Sequence, residues 1–263
     1  MKRLFLHLSM VTVFAMSGCG GRDVDTDTPS RSDPATNSAA VAAGTASDKK
    51  TAEAPSGLLC VFDYDLTLSS HRCAEIKDEE AYHCRTNTCG TYDWNHQCLG
   101  LAASAAVAEC VKRKAYIGIA SHADVDGCWN DKVAPMVSEN QFPELTASDR
   151  YGNGNEPTAY PALDSRENWN CATCAYQMAP DLSKPQAIER IMRHYAMSPE
   201  RPEDRARVIF WDDSKTNIEA VSAAMPEVVS IHVPRNGRSG SDGGCGITRV
   251  QIEQAFSSGE TRP

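Results

Sequence analysis

Short apolar runs recur along the chain, and each stops abruptly. Leu58-Leu59-Cys60-Val61-Phe62 ends in Asp63, Ala115 to Ala120 ends in Ser121, and Arg207-Val208-Ile209-Phe210-Trp211 ends in Asp212. A fourth run, Val228 to Val233, stops before Pro234. Continuous apolar runs of this length predict strands buried on both faces of a parallel sheet. Stretches with helical spacing lie between them. Residues 99–113 repeat apolar positions at Leu99, Ala102, Ala106 and Cys110, and residues 184–196 carry a stripe of Ile188, Ile191, Met192 and Tyr195. Residues 215–224 and 249–256 read as two more helices. Ser183 with Gln186, and Thr248 with Gln251, have the spacing of capping boxes. Alternating strands and helices predict an α/β fold, Rossmann-like and doubly wound around a mainly parallel sheet.

Ligands of open α/β sheets bind beyond the carboxyl ends of the strands. Asp63, Ser121 and Asp212 close three runs and are expected to converge there. After the first run stands Asp63-Tyr64-Asp65-Leu66-Thr67, in which two carboxylates two residues apart can divide the roles of nucleophile and general acid/base. The competing readings are an acidic turn and a calcium loop. The loop fails on Leu68 at its sixth position, where glycine is needed, and on Ala74 at its twelfth, where glutamate is needed. After the third run, Asp212-Asp213 opens a helix and supplies oxygen ligands for a hard cation such as Mg²⁺. Asn217 stands where it can brace that loop. The alternative for this pair is a helix start with favourable N-terminal charge.

Composition narrows the compartment. The 263 residues are 41% hydrophobic and 23% charged, with a net charge of −9 from 26 basic and 35 acidic residues. No basic cluster stands out, so nucleic acid is not an expected partner. Eleven cysteines suggest an oxidising environment. Lys2 and Arg3 precede a short apolar stretch, Leu4 to Met16, which reads as a signal peptide rather than a span. Met16-Ser17-Gly18-Cys19 resembles the lipobox of bacterial lipoproteins, with Met16 where leucine is usual. That resemblance implies removal of residues 1–18, lipidation of Cys19 and a membrane anchor. Gly20, in place of aspartate, implies sorting to the outer membrane, with the protein facing the periplasm or the cell surface. Residues 20–56 contain no aromatic residue and read as a flexible tether with a reach of roughly 35 Å. The folded domain is then expected over residues 57–263.

Together the motifs resemble the haloacid dehalogenase superfamily, mostly Mg²⁺-dependent phosphohydrolases with a Rossmann-like core. Its Asp-x-Asp-x-Thr motif is matched by Asp63, Asp65 and Thr67. Its strand-ending Ser or Thr is matched by Ser121, its helix-opening Lys by Lys184, and its acidic pair by Asp212 and Asp213. The successive motifs begin 58, 63 and 28 residues apart, and the resemblance covers roughly residues 57–233. It implies that Asp63 attacks phosphorus and that Asp65 protonates the leaving group and then activates water. Thr67 would hold the loop and the phosphate, and Ser121 and Lys184 would bind the phosphoryl group. Asp63, Asp212, Asp213 and the Asp65 backbone carbonyl would bind Mg²⁺. An aspartate at position 65 implies a phosphatase rather than a dehalogenase or phosphonatase.

Residues 69–98 and 122–183 stand outside the core pattern, where the family inserts caps. Both are short enough to imply an open site that takes a phosphorylated small molecule or a surface phosphoester. Beyond Cys19, ten cysteines remain. Three readings stay open: a disulfide framework, zinc at Cys84/Cys89 and Cys171/Cys174, and a thioredoxin-like pair at Cys171/Cys174. Cys60, inside the first strand, reads as a buried apolar residue. His71, His83, His96 and His122 are the remaining candidates; His122, next to Ser121, could touch a substrate, but such a residue is more often a structural hydrogen-bonder. Tyr64 is better placed to stack on a substrate than Trp94, Trp129 or Trp169, which read as packing residues. The expected activity is hydrolysis of phosphomonoesters. The alternatives are an envelope nucleotidase or acid phosphatase, and a catalytically idle scaffold used for binding.

Overall fold

The central strand is β1 (Leu59–Phe62), whose four side chains are all fully buried. In a computed structural model that describes residues 57–86, 96–122, 142, 170–236 and 243–257, it lies in the middle of a five-stranded sheet. Its companions are β5 (Tyr116–Ser121), β6 (Tyr176–Met178), β7 (Val208–Asp212) and β8 (Val229–His232). The order is β6-β5-β1-β7-β8, and every pairing is parallel. All described residues belong to one compact unit, Lys49–Pro263. The signal peptide, Cys19 and the whole tether lie outside the described residues, as do His96's side chain, Trp94, Trp129 and Trp169.

The fold is α/β, as the apolar runs predict. The chain winds outward from β1 through β5 to β6, then returns to the other side of β1 for β7 and β8. Reversal beside β1 leaves a crevice at the carboxyl ends of β1, β5 and β7. Phe62 stacks on Trp211 across the β1–β7 pair, with ring centroids 4.7 Å apart, just below that crevice. β8 departs from the doubly buried expectation. It is the sheet edge, and only Ile231 of its four residues is fully buried.

The helices are α1 (Ala103–Lys112), α2 (Lys184–His194), α3 (Pro202–Arg205), α4 (Lys215–Ala224) and α5 (Arg249–Ser257). α1 starts later than its pattern suggests, because Leu99 belongs to a strand and Gly100 follows it. Ser183 and Thr248 each donate a backbone N–H to the glutamine side chain three residues on, at 3.2 and 3.0 Å. No helix among the described residues is long and apolar enough to cross a membrane.

Two elements were not visible in the apolar pattern. β6 is an edge strand of the main sheet and lies inside the segment read as the second insertion. Its Tyr176-Gln177-Met178 is too short and too mixed to announce itself. The first insertion forms an antiparallel sheet in the order β2-β4-β3, built from β2 (Ser69–His71), β3 (Arg85–Thr86) and β4 (His96–Leu99).

Cysteine pairs lock these parts together: Cys60–Cys110, Cys73–Cys245, Cys84–Cys98 and Cys171–Cys174. The disulfide reading therefore holds for these eight, and Cys84, Cys171 and Cys174 have no thiolate left for zinc. Cys60 is buried as expected but is also bonded, tying β1 to α1. Cys89 and Cys128 lie outside the described residues. Such a framework fits an oxidising compartment.

The segment at 244–247 clamps the turn after β1. Gly244 exchanges backbone hydrogen bonds with His71, Ile247 N–H donates to the Thr67 carbonyl at 2.9 Å, and Cys73–Cys245 adds a covalent link. Gly246 makes the close approach possible. Its φ is +70°, and a Cβ there would lie 2.8 Å from both Gly100 Cα and the Thr67 carbonyl oxygen. Because those neighbours are backbone, Gly246→Ala should destabilise the fold by about 2–4 kcal/mol in urea unfolding. A change below about 0.5 kcal/mol would show that the clamp yields freely.

Candidate active site

Asp63 leaves β1 at its carboxyl end and enters a single wide turn, Tyr64–Leu68. Leu66 in that turn has φ +56°, an uncommon conformation for a buried leucine and a source of local strain beside the crevice. Asp212 is the last residue of β7, and Asp213 follows it into α4. The parallel β1–β7 pairing sets Phe62 opposite Trp211, so the carboxylates that follow meet at one level. Oxygens of Asp63, Asp212 and Asp213 lie within 4.8 Å of one another, and all three side chains are buried.

Lys184 supplies the counter-charge. It opens α2 behind its Ser183 cap, an unfavourable place for a cation because the helix N-terminus is itself positive. It is also 3% exposed. The surrounding acids hold it there: Nζ donates to Asp63 Oδ1 at 2.7 Å and to the Ala120 carbonyl at 2.6 Å, and lies 3.2 Å from Asp212 Oδ2. Burial pulls the Lys184 pKa down, and the pairs with Asp63 and Asp212 more than offset it, so the ammonium titrates above its ordinary range. Burial pushes the Asp63 carboxyl well up. Lys184 opposes that rise, and the charges of Asp212, Asp213 and Asp65 reinforce it. Asp213 is likewise raised by burial against the pull of Arg235, whose Nε lies 2.5 Å from Asp213 Oδ2.

Asp212 is braced from the helix. Ser214 N–H donates to its Oδ1 at 2.8 Å, and Asn217 Nδ2 contacts Oδ1 and Oδ2 at 3.0 and 3.1 Å. These bonds fix the carboxylate against the N-terminal turn of α4.

A cleft of about 220 Å³ opens over the cluster. Its walls carry Asp63, Asp65, Ser121, His122, Lys184, Asp213, Ser214, Asn217 and Arg235. Most of the residues singled out in the sequence thus meet in one place. Ser121, at the end of β5, is buried and faces the cleft. His122 lies at the rim, where partial burial and then the Lys184 charge push its imidazole below its ordinary range. Thr67 does not join them. It is fully buried beneath the turn, with its hydroxyl unpartnered among the described residues and its carbonyl taken by Ile247. It does not line the cleft. The Asp65 carboxylate stands outside the three-acid cluster, with Gln97 Nε2 3.2 Å from its Oδ1.

Arg235 and Gln97 escaped the sequence reading. Arg235 follows the edge strand β8 by three residues and carries no motif, although a cation just past a strand end was a usable signal. Gln97 sits in a cysteine-rich segment with no periodic pattern at all.

The donor set suits a hard cation. It offers only carboxylate oxygens, fixed from two strands, in a pocket where burial already disfavours their uncompensated charge. Lys184, Ser121 and the N-terminus of α4 add donors for an anionic group held beside it.

No protein-family model and no curated protein matches the chain. Among solved structures, it is similar to the N-terminal part of a Bacteroides fragilis protein that contains a phosphatase domain and was crystallised in complex with Mg. The two are 16% identical with a TM-score of 0.36, over 67% of this chain and 36% of that one. This chain thus spans little more than a third of its neighbour, and a likeness so distant assigns no activity.

Proposed function

We propose that the protein is a Mg²⁺-dependent phosphohydrolase of the haloacid dehalogenase type, which cleaves phosphomonoesters through an aspartyl-phosphate on Asp63. The observation that carries this reading is the buried cluster of Asp63, Asp212 and Asp213 around the Lys184 ammonium, open to one cleft. A structural ion pair would not need three acids gathered with Lys184 and Arg235 at the switch point of the sheet.

Asp63, Asp212 and Asp213, with the Asp65 backbone carbonyl, would hold the cation. Mg²⁺ bound there would neutralise charge on the phosphoryl oxygens. The chain's own residues do the rest. An Asp63 oxygen forms a bond to phosphorus as the bond from phosphorus to the leaving oxygen breaks, and Asp65 gives that oxygen a proton. Water activated by Asp65 then attacks phosphorus, releasing phosphate and restoring Asp63. Lys184 keeps Asp63 aimed and balances the charge of the transferring group, and Ser121 donates to a phosphoryl oxygen. Phosphoryl transfer depends on this positioning and neutralisation more than on elaborate covalent chemistry. The disulfides favour a site outside the cytoplasm. Anchoring through a lipidated Cys19 would hold it at a membrane.

The test is turnover of an aryl phosphate by the full, oxidised chain with Mg²⁺. Activity should vanish on chelation and return on adding Mg²⁺. Folded, Mg²⁺-binding protein that turns over neither aryl nor alkyl phosphates would defeat the reading and leave a binding scaffold. Metal binding should also depend on pH. Burial raises the Asp63 and Asp213 carboxyls, so protons compete with the cation as pH falls through those raised values. The rise in melting temperature produced by Mg²⁺ should therefore be larger at pH 8 than at pH 5. An equal rise at both would show that neither carboxyl is involved.

A further inference from the structure

We infer that Gln97 is a positioning residue for Asp65, and that the disulfide-stapled hairpin exists in part to hold it. The inference rests on the phosphohydrolase reading and adds to it a residue outside every motif. Gln97 is the second residue of β4, paired with His71 on one side and Arg85 on the other. It is 5% exposed, an unusual depth for an amide, and burial of an amide is costly unless its hydrogen bonds are made. Its Nε2 donates to Asp65 Oδ1 at 3.2 Å, across 32 residues of sequence.

Asp65 needs such support. It follows Asp63 into the strained turn, it is only half-buried, and it lies apart from the Lys184 cluster that fixes Asp63 and Asp212. The Gln97 bond ties down one oxygen and thereby sets the plane of the group. Proton delivery to the leaving oxygen, as its bond to phosphorus breaks, then falls to the other oxygen. The hairpin is covalently stapled. Cys98, next to Gln97, is bonded to Cys84, and Cys73 beyond β2 is bonded to Cys245. Ser70 Oγ donates to the Leu99 carbonyl at 3.1 Å and closes the β2–β4 pair from the side-chain level. These links hold β4 in register with β2, and with it the Gln97 amide.

Proton donation matters in proportion to the basicity of the leaving group, which separates positioning from packing. The experiment compares kcat/KM of the full, oxidised protein for glycerol 2-phosphate and for 2,4-dinitrophenyl phosphate, whose leaving oxygen departs without a proton. Gln97→Leu removes the donor, and Gln97→Glu keeps the shape while replacing the donor with an acceptor. Both should lose about 10- to 100-fold on the alkyl ester and less than about twofold on the dinitrophenyl ester. Retained turnover of the dinitrophenyl ester also shows that the variant is folded; if Gln97→Leu does not fold, the isosteric Gln97→Glu decides. Asp65→Asn should show the same split more strongly, and adding Gln97→Leu to it should cost nothing further on the alkyl ester. Equal losses on both esters, or no loss on either, would overturn the inference and leave Gln97 as hairpin packing. Lack of turnover by the unaltered protein on both esters would instead overturn the phosphohydrolase reading on which it rests.

Discussion

Asp63→Asn should abolish turnover without weakening the fold. The loss should be on the order of a thousandfold or more, because the variant has no carboxylate to form the bond to phosphorus. Stability should hold or rise in metal-free protein, since burial and three neighbouring acids already raise the Asp63 carboxyl and make its ionised form costly. An asparagine removes that charge and leaves Lys184 paired with Asp212. The measurements are steady-state turnover with Mg²⁺, thermal unfolding without it, and capture of the phosphorylated peptide in acid-quenched reactions. The adduct should map to Asp63 in the unaltered protein and vanish in the variant. Turnover within tenfold of the original would remove Asp63 as nucleophile.

Lys184→Met should do the reverse and damage stability as well as turnover. Methionine fills similar volume but leaves Asp63 and Asp212 buried with no cation at 2.7 and 3.2 Å. Removing one partner of a buried ion pair typically costs about 3–5 kcal/mol. The sign of the pH dependence follows from the same carboxyls. A group whose folded pKa is raised stabilises the fold when protonated, and that stability is lost as pH rises through the raised value. The methionine variant should therefore be weakest in urea at pH 8 without metal, and recover as pH falls and Asp63 takes up a proton. Mg²⁺ at pH 8 should recover part of the deficit by the same neutralisation. A variant as stable as the original at pH 8 would mean that Lys184 does not balance these acids.

These two expectations contrast because Asp63 and Asp212 are like charges held by one ammonium. The site's chemistry and its electrostatic cost share the same atoms. The helix dipole makes Lys184 still less comfortable, as a buried cation at a helix N-terminus. A chain selected for stability alone has little reason to place it there.

The legible parts of this protein are those whose physics is local. Leu59–Phe62 and Val208–Trp211 are buried from both sides, so every residue in them must be apolar, and a few consecutive letters reveal the strand. Asp63, Ser121 and Asp212 follow such runs directly, so the sheet geometry that gathers strand ends was enough to place them together. Ser183 and Gln186 are three residues apart, and the hydrogen bond between them needs nothing from the rest of the molecule. The sequence by itself therefore determined the α/β class, the central strands, the helices that carry Lys184 and Asn217, and the acidic cluster.

Only the tertiary structure decided what depends on distant partners. Which cysteines pair is not encoded in their spacing, and Cys60, read as a plain apolar residue, is bonded to Cys110 across 50 positions. Thr67 shares a motif with Asp63 and Asp65, yet the left-handed turn at Leu66 and the clamp at Gly246 direct it into the core. β6 becomes a strand because β5 offers it an edge, not because Tyr176-Gln177-Met178 would choose that state alone. Arg235 reaches the cleft from beyond a sheet edge, and Gln97 reaches Asp65 from a hairpin in which no local pattern marks it. Long-range contacts are set by the packed fold as a whole, and a local pattern contains no term for them.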